Sequence, residues 1–446
     1  MDARRRHTQP APPSRTQAHP EADRPAAMLQ GAPPMSRGRG LDRRRFLAAA
    51  GLAALGLALP VGPGAPPASA QARPKRLVLL FLRGGLDGLS ALVPYEDRWY
   101  YQSRPSIALP PPGREGGCLP LAPGYGLHPA LEPLLEPWRE QTLAIVPSCG
   151  LPQPMRTHPE AQRAMESGQP GERHLRDGWM ARLAQVLGKE ARGLTLAPNP
   201  TLIGQGSQAV VNSKPTGFPP SLWKLERPGI FASFDAVYAG GDPLSRAYRQ
   251  SQIVLRNELA GLDREIAVSA SGAPSIHALP SLAGQIAAYL EKNPATRMVF
   301  SPLGGFDAHF QQGASTGRLA EALASLGKGL AALSKALGQG LLDTCVLVMS
   351  EFGRSLRENE YQGTQNGHGT LCMVLGGNVS GGRLVGPWPG LSPEKLSDGL
   401  DPAAAVDFRE VLAQALTSHM GLSREQLATV LPGYMPVGTL KDLFRS

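Results

Sequence analysis

Carboxylates and imidazoles in this chain fall into short polar clusters beside apolar, β-prone runs. The clusters are Arg83-Gly84-Gly85-Leu86-Asp87, Arg156-Thr157-His158, Gly304-Gly305-Phe306-Asp307-Ala308-His309, Ser350-Glu351-Phe352-Gly353-Arg354 and Gly367-His368-Gly369. The first four follow the runs Leu77–Leu82, Leu143–Val146, Met298–Phe300 and Cys345–Met349; the fifth precedes Leu371–Leu375, in the loop returning from the Ser350 cluster. In an open α/β sheet, ligands bind beyond the carboxyl ends of the strands, so these clusters would gather into one polar site. Asp87, Asp307, His309, Glu351 and His368 would offer it oxygen and nitrogen donors suited to a divalent metal such as zinc, manganese or calcium.

The spacing sharpens some of these assignments. Asp307 and His309 are two apart after a Gly-Gly turn, and in an extended loop alternate side chains share a face. Glu351 follows an apolar run and one serine, so its carboxylate needs a metal or a partner; the plain alternative is a salt bridge to Arg354. His368 lies between glycines in a polar loop, where a lone histidine is ordinarily just exposed. Thr157 sits at a strand-to-helix junction, where free N–H groups favour an anion. Its hydroxyl is the best candidate nucleophile if a metal or base activates it, and an ordinary helix cap is the simpler role. His158 beside it could serve as acid/base or ligand.

Strand and helix patterns alternate along residues 71–446. Lys75–Arg83 reads as a buried parallel strand. A helix is expected over His128–Glu140, a strand over Thr142–Pro147, a helix after Pro159 and another at Arg182–Leu187. Short strand-like pieces at Gly193–Ala197 and Gln208–Asn212 lie in a Pro/Gly-rich stretch, 190–243, that could be an insertion or lid. Long amphipathic helices are expected at Leu244–Ile266 and Leu282–Lys292, with a strand at Arg297–Pro302 between the latter and the next helix. In Arg318–Leu337, leucines at 319, 323, 326, 330, 333 and 337 define one apolar face. Gly327 and Gly329 interrupt that helix, which reads as packed on a sheet rather than a coiled coil. Helices at Phe408–His419 and Arg424–Val430 close the chain. The fold class is α/β, with a mostly parallel central sheet flanked by helices.

The first 70 residues read differently. Residues 1–40 are rich in Pro, Arg and Ala without apolar periodicity, as in a disordered extension or an early start, with Met28 or Met35 as alternative starts. Asp42-Arg43-Arg44-Arg45-Phe46-Leu47 then enters an apolar run ending at Pro60, followed by Ala68-Ser69-Ala70. That is a secretory signal of the twin-arginine type, with its core at 41–70, and implies export by the twin-arginine translocase to the periplasm or beyond. The run is shorter than the roughly 20 apolar residues of a membrane span, so no stable span is expected after cleavage. Residues 1–70 also contribute +6 of the chain's +9 charge. The basic balance is thus mostly that of the targeting segment and gives no support for nucleic-acid binding. The four cysteines, Cys118, Cys149, Cys345 and Cys372, lack zinc-site spacing. Cys345 and Cys372 read as core residues; Cys118 and Cys149 read as loop residues that an oxidising compartment would allow to pair.

Several motifs carry a family resemblance. Leu82-Arg83-Gly84-Gly85-Leu86-Asp87-Gly88-Leu89, Val93-Pro94-Tyr95, Gly126-Leu127-His128-Pro129-Ala130, Met165-Glu166-Ser167-Gly168, the Gly304–His309 and Ser350–Arg354 clusters and Val385-Gly386-Pro387-Trp388-Pro389 resemble the bacterial domain-of-unknown-function family 1501. The resemblance covers nearly all of 75–440, in order. That family in turn is similar to the alkaline phosphatase and sulfatase superfamily. The resemblance implies an alkaline-phosphatase-like three-layer sandwich and metal-assisted cleavage of phosphate or sulfate esters. It implies a nucleophile at Thr157 and metal ligands at Asp87, Asp307, His309, Glu351 and a later histidine. Where the family commonly shows Gly-Thr-Asp-His-Gly, this chain has Gly363-Thr364-Gln365-Asn366-Gly367. Two potential ligands are therefore neutral amides, and one metal or none is expected rather than two, with His368 as possible compensation.

Two functions follow as expectations. One is an exported, metal-assisted hydrolase of a small anionic ester, using Thr157, His158 and Arg354. The other is a catalytically degenerate envelope protein that binds a glycan or an assembly partner in the same cleft. Gly84-Gly85 alone is too weak a signal for a dinucleotide site.

Overall fold

The computed structural model describes residues 73–172, 176–215, 234–250 and 268–445. The export signal and part of the 190–243 and 244–266 stretches therefore lie outside the described residues.

The strands in chain order are β1 (Arg76–Arg83), β2 (Leu92–Val93), β3 (Leu119–Ala122), β4 (Tyr125–Leu127), β5 (Leu143–Gly150), β6 (Arg192–Leu196), β7 (Val210–Ser213), β8 (Thr296–Gly304), β9 (Thr344–Ser350), β10 (Arg354–Glu358), β11 (Thr364–Asn366), β12 (Thr370–Gly376), β13 (Arg383–Leu384) and β14 (Val406–Asp407). Nine of them form the central sheet in the order β13-β5-β12-β9-β1-β8-β6-β7, with β14 also on β5. Only β12 runs against the rest. The residues before β12 thus lie at the same sheet edge as the ends of β1, β8 and β9, which is why the fifth polar cluster precedes its strand. β6 and β7, in the stretch read as a possible insertion, extend the central sheet.

The sheet is buried on both faces because its residues alternate between two cores. On one face Leu77, Leu79 and Phe81 of β1 and Cys345, Leu347 and Met349 of β9 meet helices α1 (His158–Ser167), α2 (Trp179–Val186), α5 (Phe408–Gln414) and α6 (Arg424–Val430). On the other, Val78, Leu80 and Leu82 meet α3 (Leu279–Lys292) and α4 (Arg318–Leu337). This is the three-layer α/β sandwich expected from the sequence. The leucine face of α4 is buried as its spacing predicts. Gly329 does not break the helix: a side chain there would strike Leu279, so the glycine lets α3 pack closely.

Three local expectations change. The helix expected over His128–Glu140 is a 3₁₀ turn, Pro129–Leu134, followed by a short helix, Leu135–Arg139. Pro133 and Pro137 remove backbone donors there and prevent a continuous helix. Cys149 lies inside β5, and all four cysteines are free and buried. The last part of Phe408–His419 loosens into a π-turn at Ala415–His419. Among the described residues no helix is long and apolar enough to cross a membrane.

Candidate metal centre

The loop after β8 and the start of α1, which follows β5, bring His158, Asp307 and His309 together. One ligand atom from each lies within 4.8 Å of the others, and all three residues are buried. His158 Nε2 is 3.8 Å from Asp307 Oδ2, and His309 Nε2 is 3.4 Å from Asp307 Oδ1. Ligand atoms of one zinc, each about 2.0–2.2 Å from the ion, sit roughly 3.3 Å apart, so these separations need little closing.

Each donor is positioned from behind. His158 opens α1, with Pro159 at the next position, and its Nδ1 is 2.8 Å from Glu351 Oε1. That oxygen also accepts from Gly84 N at 2.9 Å and Gln162 Nε2 at 3.1 Å, and Ser350 Oγ donates to Oε2 at 3.1 Å. Burial alone would raise the Glu351 carboxyl, but the His158 contact and the backbone N–H of Gly84 more than reverse that and hold it below its ordinary value. Glu351 is therefore a carboxylate placed to accept a proton from Nδ1, and the ring turns Nε2 toward Asp307. The pattern is that of a metal-binding imidazole oriented by an outer carboxylate. Gly84 makes the approach possible: its φ is +113°, and a Cβ there would strike the Asp307 backbone nitrogen.

Asp307 Oδ1 accepts from Arg354 Nη2 at 2.8 Å. Burial raises the Asp307 carboxyl, and Arg354 with the two histidines more than offsets this, so it stays ionised below the usual range. His309 hydrogen-bonds the Gln365 side chain, and burial together with the Arg354 charge lowers its pKa to about 4. Its imidazole is neutral near pH 7 and fit to ligate. Two buried polar atoms, His158 Nε2 and Asp307 Oδ2, face one another 3.8 Å apart, neither with a hydrogen-bond partner. Such a pairing is costly unless a cation lies between them. The donor set fits a divalent metal.

The remaining five sequence candidates lie outside the three-donor cluster. Glu351 lies behind His158 rather than in the cluster, and His158 takes the third donor position. Asp87 is turned away: its Oδ2 accepts from Arg104 Nη1 at 2.7 Å, Ser90 Oγ at 2.8 Å and Gln312 Nε2 at 2.7 Å. His368 is engaged at both ring nitrogens, Nε2 with Leu151 O at 2.7 Å and Nδ1 with Ser397 Oγ at 2.9 Å. Burial also keeps it below its ordinary pKa, so Nε2 donates to Leu151 O and the one ring lone pair, on Nδ1, accepts from Ser397 Oγ. Arg354 is buried against Asp307 and the carbonyls of Gly84 and Gly85. Thr157 is exposed beside His158; its Oγ1 donates to Glu160 Oε2 at 3.2 Å and makes no cap.

Sequence reasoning missed Gln162, Arg104 and the part played by Gln365. Gln162 had a signal, since it follows His158 by one helical turn and shares its face. Arg104 had none: it lies in a loop whose approach to Asp87 only the tertiary fold creates.

An α/β sandwich with a buried two-histidine, one-carboxylate cluster at its strand ends defines the class of this protein. Residues 149–431 match the family described as "Protein of unknown function (DUF1501)", and the chain belongs to that family. No curated protein matches the sequence. Solved structures with a likeness include a protein in the alkaline phosphatase superfamily from Vibrio parahaemolyticus, 13% identical with a TM-score of 0.34, covering 69% of this chain and 61% of that one. The C-terminal periplasmic domain of EcEptC from Escherichia coli, in complex with Zn, is 11% identical with a TM-score of 0.37, covering 83% and 93%. The phosphonate monoester hydrolase of Agrobacterium radiobacter is 11% identical with a TM-score of 0.36, covering 82% and 78%. These likenesses are distant. The fold class rests on the sheet topology, and the site on its own donor atoms.

Proposed function

We propose that this chain is an exported, metal-dependent hydrolase of phosphate or sulfate esters. The observation that carries the reading is the pair of facing, unpartnered polar atoms, His158 Nε2 and Asp307 Oδ2, buried beside His309. Two imidazoles and one carboxylate suit zinc, iron or manganese better than calcium, which prefers an all-oxygen shell. A divalent metal held there supplies Lewis acidity at a phosphoryl or sulfuryl oxygen and lowers the pKa of a water.

The chain's own residues divide the remaining work. Asp307 and Glu351 bring two negative charges and Arg354 one positive, so a dication leaves a net positive site that attracts an anionic ester. Glu351 fixes the ring of His158, and Gln162 fixes Glu351. Thr157, exposed and next to His158 in the chain, is the proposed nucleophile. The arginines at 43–45 and the apolar run after them support export by the twin-arginine route.

The test is hydrolysis of p-nitrophenyl phosphate and p-nitrophenyl sulfate by the mature protein, with and without zinc or manganese. Metal-stimulated turnover, lost on replacing Asp307 and His309 together, supports the reading. Turnover unchanged by that double replacement refutes it. A metal-loaded protein inert to both ester classes would favour the envelope-binding alternative, in which the cleft holds a glycan or partner.

A further inference from the structure

The opposite edge of the sheet, where its parallel strands begin, is lined with arginines. Arg76 opens β1, Arg192 opens β6 and Arg383 opens β13, while Arg297 is the second residue of β8. The register aligns them: Arg192 pairs with Thr296 and Arg383 with Ala144, and Arg76 and Arg297 each come one residue before the paired Leu77 and Met298. Arg73 precedes β1. Arg445 reaches the same edge, its Nη2 donating to Gln141 O at 2.8 Å just before β5. Adjacent strands lie about 4.8 Å apart, so the row from β13 to β6 spans roughly 30 Å.

None of these six arginines is in a salt bridge among the described residues. Backbone oxygens hold several of them instead: Arg297 Nε donates to Lys75 O at 2.6 Å, Arg192 Nη1 to Ala191 O at 3.1 Å and Arg383 Nε to Ser380 O at 3.0 Å. A carbonyl fixes a guanidinium without cancelling its charge. Arg76 Nε is shielded from solvent and has no partner. The crowding is felt, since burial and then the charge of Arg76 lower the pKa of Arg297. The same loops add Lys75, Lys189 and Lys292 against Glu190, Glu291, Asp343 and Asp442, and Asp343 is already paired with Lys75 at 3.0 Å. Arg139 and Glu140 before β5 cancel, so cations outnumber carboxylates along the edge. Two apolar groups are exposed there as well, Leu342 just before β9 and Tyr289 in the last turn of α3.

Independently of the metal reading, we propose that this edge docks on the phosphate headgroups of an anionic lipid bilayer. A row of fixed cations matches a planar array of phosphates, and exposed leucine and tyrosine side chains suit the interface beneath them. The chain also enters the fold here. Residues 61–72 separate the apolar run of the export signal from Arg73, and such a stretch spans at most about 40 Å. A bilayer that holds the run is therefore within reach of the edge. Docking in this way leaves the carboxyl edge, with His158, Asp307 and His309, turned away from the lipid and open to a soluble substrate.

The test is co-sedimentation of the mature protein with vesicles of phosphatidylcholine alone, and of phosphatidylcholine and phosphatidylglycerol in equal parts. Binding is expected to the mixed vesicles only, and it should fall steeply with added salt. Each cation near such a surface contributes roughly fivefold, so Arg73→Gln, Arg192→Gln and Arg445→Gln together should lower partition about a hundredfold. Arg98→Gln, Arg114→Gln and Arg357→Gln together remove the same charge from exposed positions on the segments that follow β1 and β9. That second variant should bind within about threefold of the unmodified protein, because its lost charges lie more than a screening length from the lipid. Equal loss in the two variants would reduce the effect to net charge and overturn the inference. Equal binding to neutral vesicles, or no binding to either kind, would overturn it too. Binding to soluble polyphosphate without binding to vesicles would also overturn it, in favour of a soluble acidic partner.

Discussion

Two buried aspartates follow neighbouring strands, Asp87 after β1 and Asp307 after β8, and each pairs with a buried arginine at 2.7–2.8 Å. They differ in what faces the rest of the carboxylate. Asp87 Oδ2 receives Arg104, Ser90 and Gln312; its Oδ1 has no hydrogen-bond partner, and the residue lines a cavity of about 10 Å³, the size of a single water. Asp307 Oδ2 receives no hydrogen bond and looks across 3.8 Å at an imidazole nitrogen that also lacks a partner. Among the described residues, His158, Asp307 and His309 form the metal-competent group, and none gathers around Asp87. The comparison teaches that a strand-end carboxylate is informative by what faces its unpartnered oxygen: at Asp87 no further donor group gathers, whereas at Asp307 two imidazoles do.

The largest effect should come from the Asp87–Arg104 cluster. Asp87→Ala leaves the Arg104 guanidinium buried and unpaired, which should cost about 3–5 kcal/mol and lower the melting temperature without changing metal affinity per folded molecule. The same pair has a pH signature. Burial would raise the Asp87 carboxyl, but Arg104 and the hydrogen bonds more than offset it, so the folded pKa lies below the unfolded one. Its contribution is present above about pH 3.9 and is lost as pH falls through the lower folded value. Acid unfolding curves of the wild type and Asp87→Asn should therefore converge at low pH. A variant as stable as wild type at pH 7 would break the comparison.

A smaller effect is expected behind the cluster. Glu351→Gln removes the carboxylate that orients His158 and should weaken metal binding about 10–100-fold. Unchanged affinity would place His158 outside the metal's reach. Smallest of all, His368→Gln should leave metal binding unaltered, because both ring nitrogens of His368 are already engaged; only thermal stability should fall, through the lost contacts to Leu151 and Ser397. A drop in affinity would return His368 to the ligand set.

The layers of the fold were legible because two-sided apolar runs and the α4 leucine spacing respond to burial alone. β12 shows a limit: its apolar run predicts a strand, yet its direction against the others follows from chain path. The edge at which the polar clusters gather was legible for the same reason as the strands. Which of their side chains meet was not. Asp307 and His309 were readable from a two-residue spacing after a glycine turn. Glu351 stands behind His158, whose role the sequence left open between acid/base and ligand, because sequence cannot show which of two adjacent groups stands in front. Asp87 and His368 found local partners, Arg104 and Ser397, 17 and 29 residues away in the chain. Such pairings leave no periodic trace.

The most direct test of the central claim is a zinc titration of the mature, chelator-treated protein beside Asp307→Asn. The account predicts close to one zinc per chain for the wild type and none retained by the variant, with both folded. A folded wild type that takes up no metal, or a variant that binds zinc equally well, would contradict it.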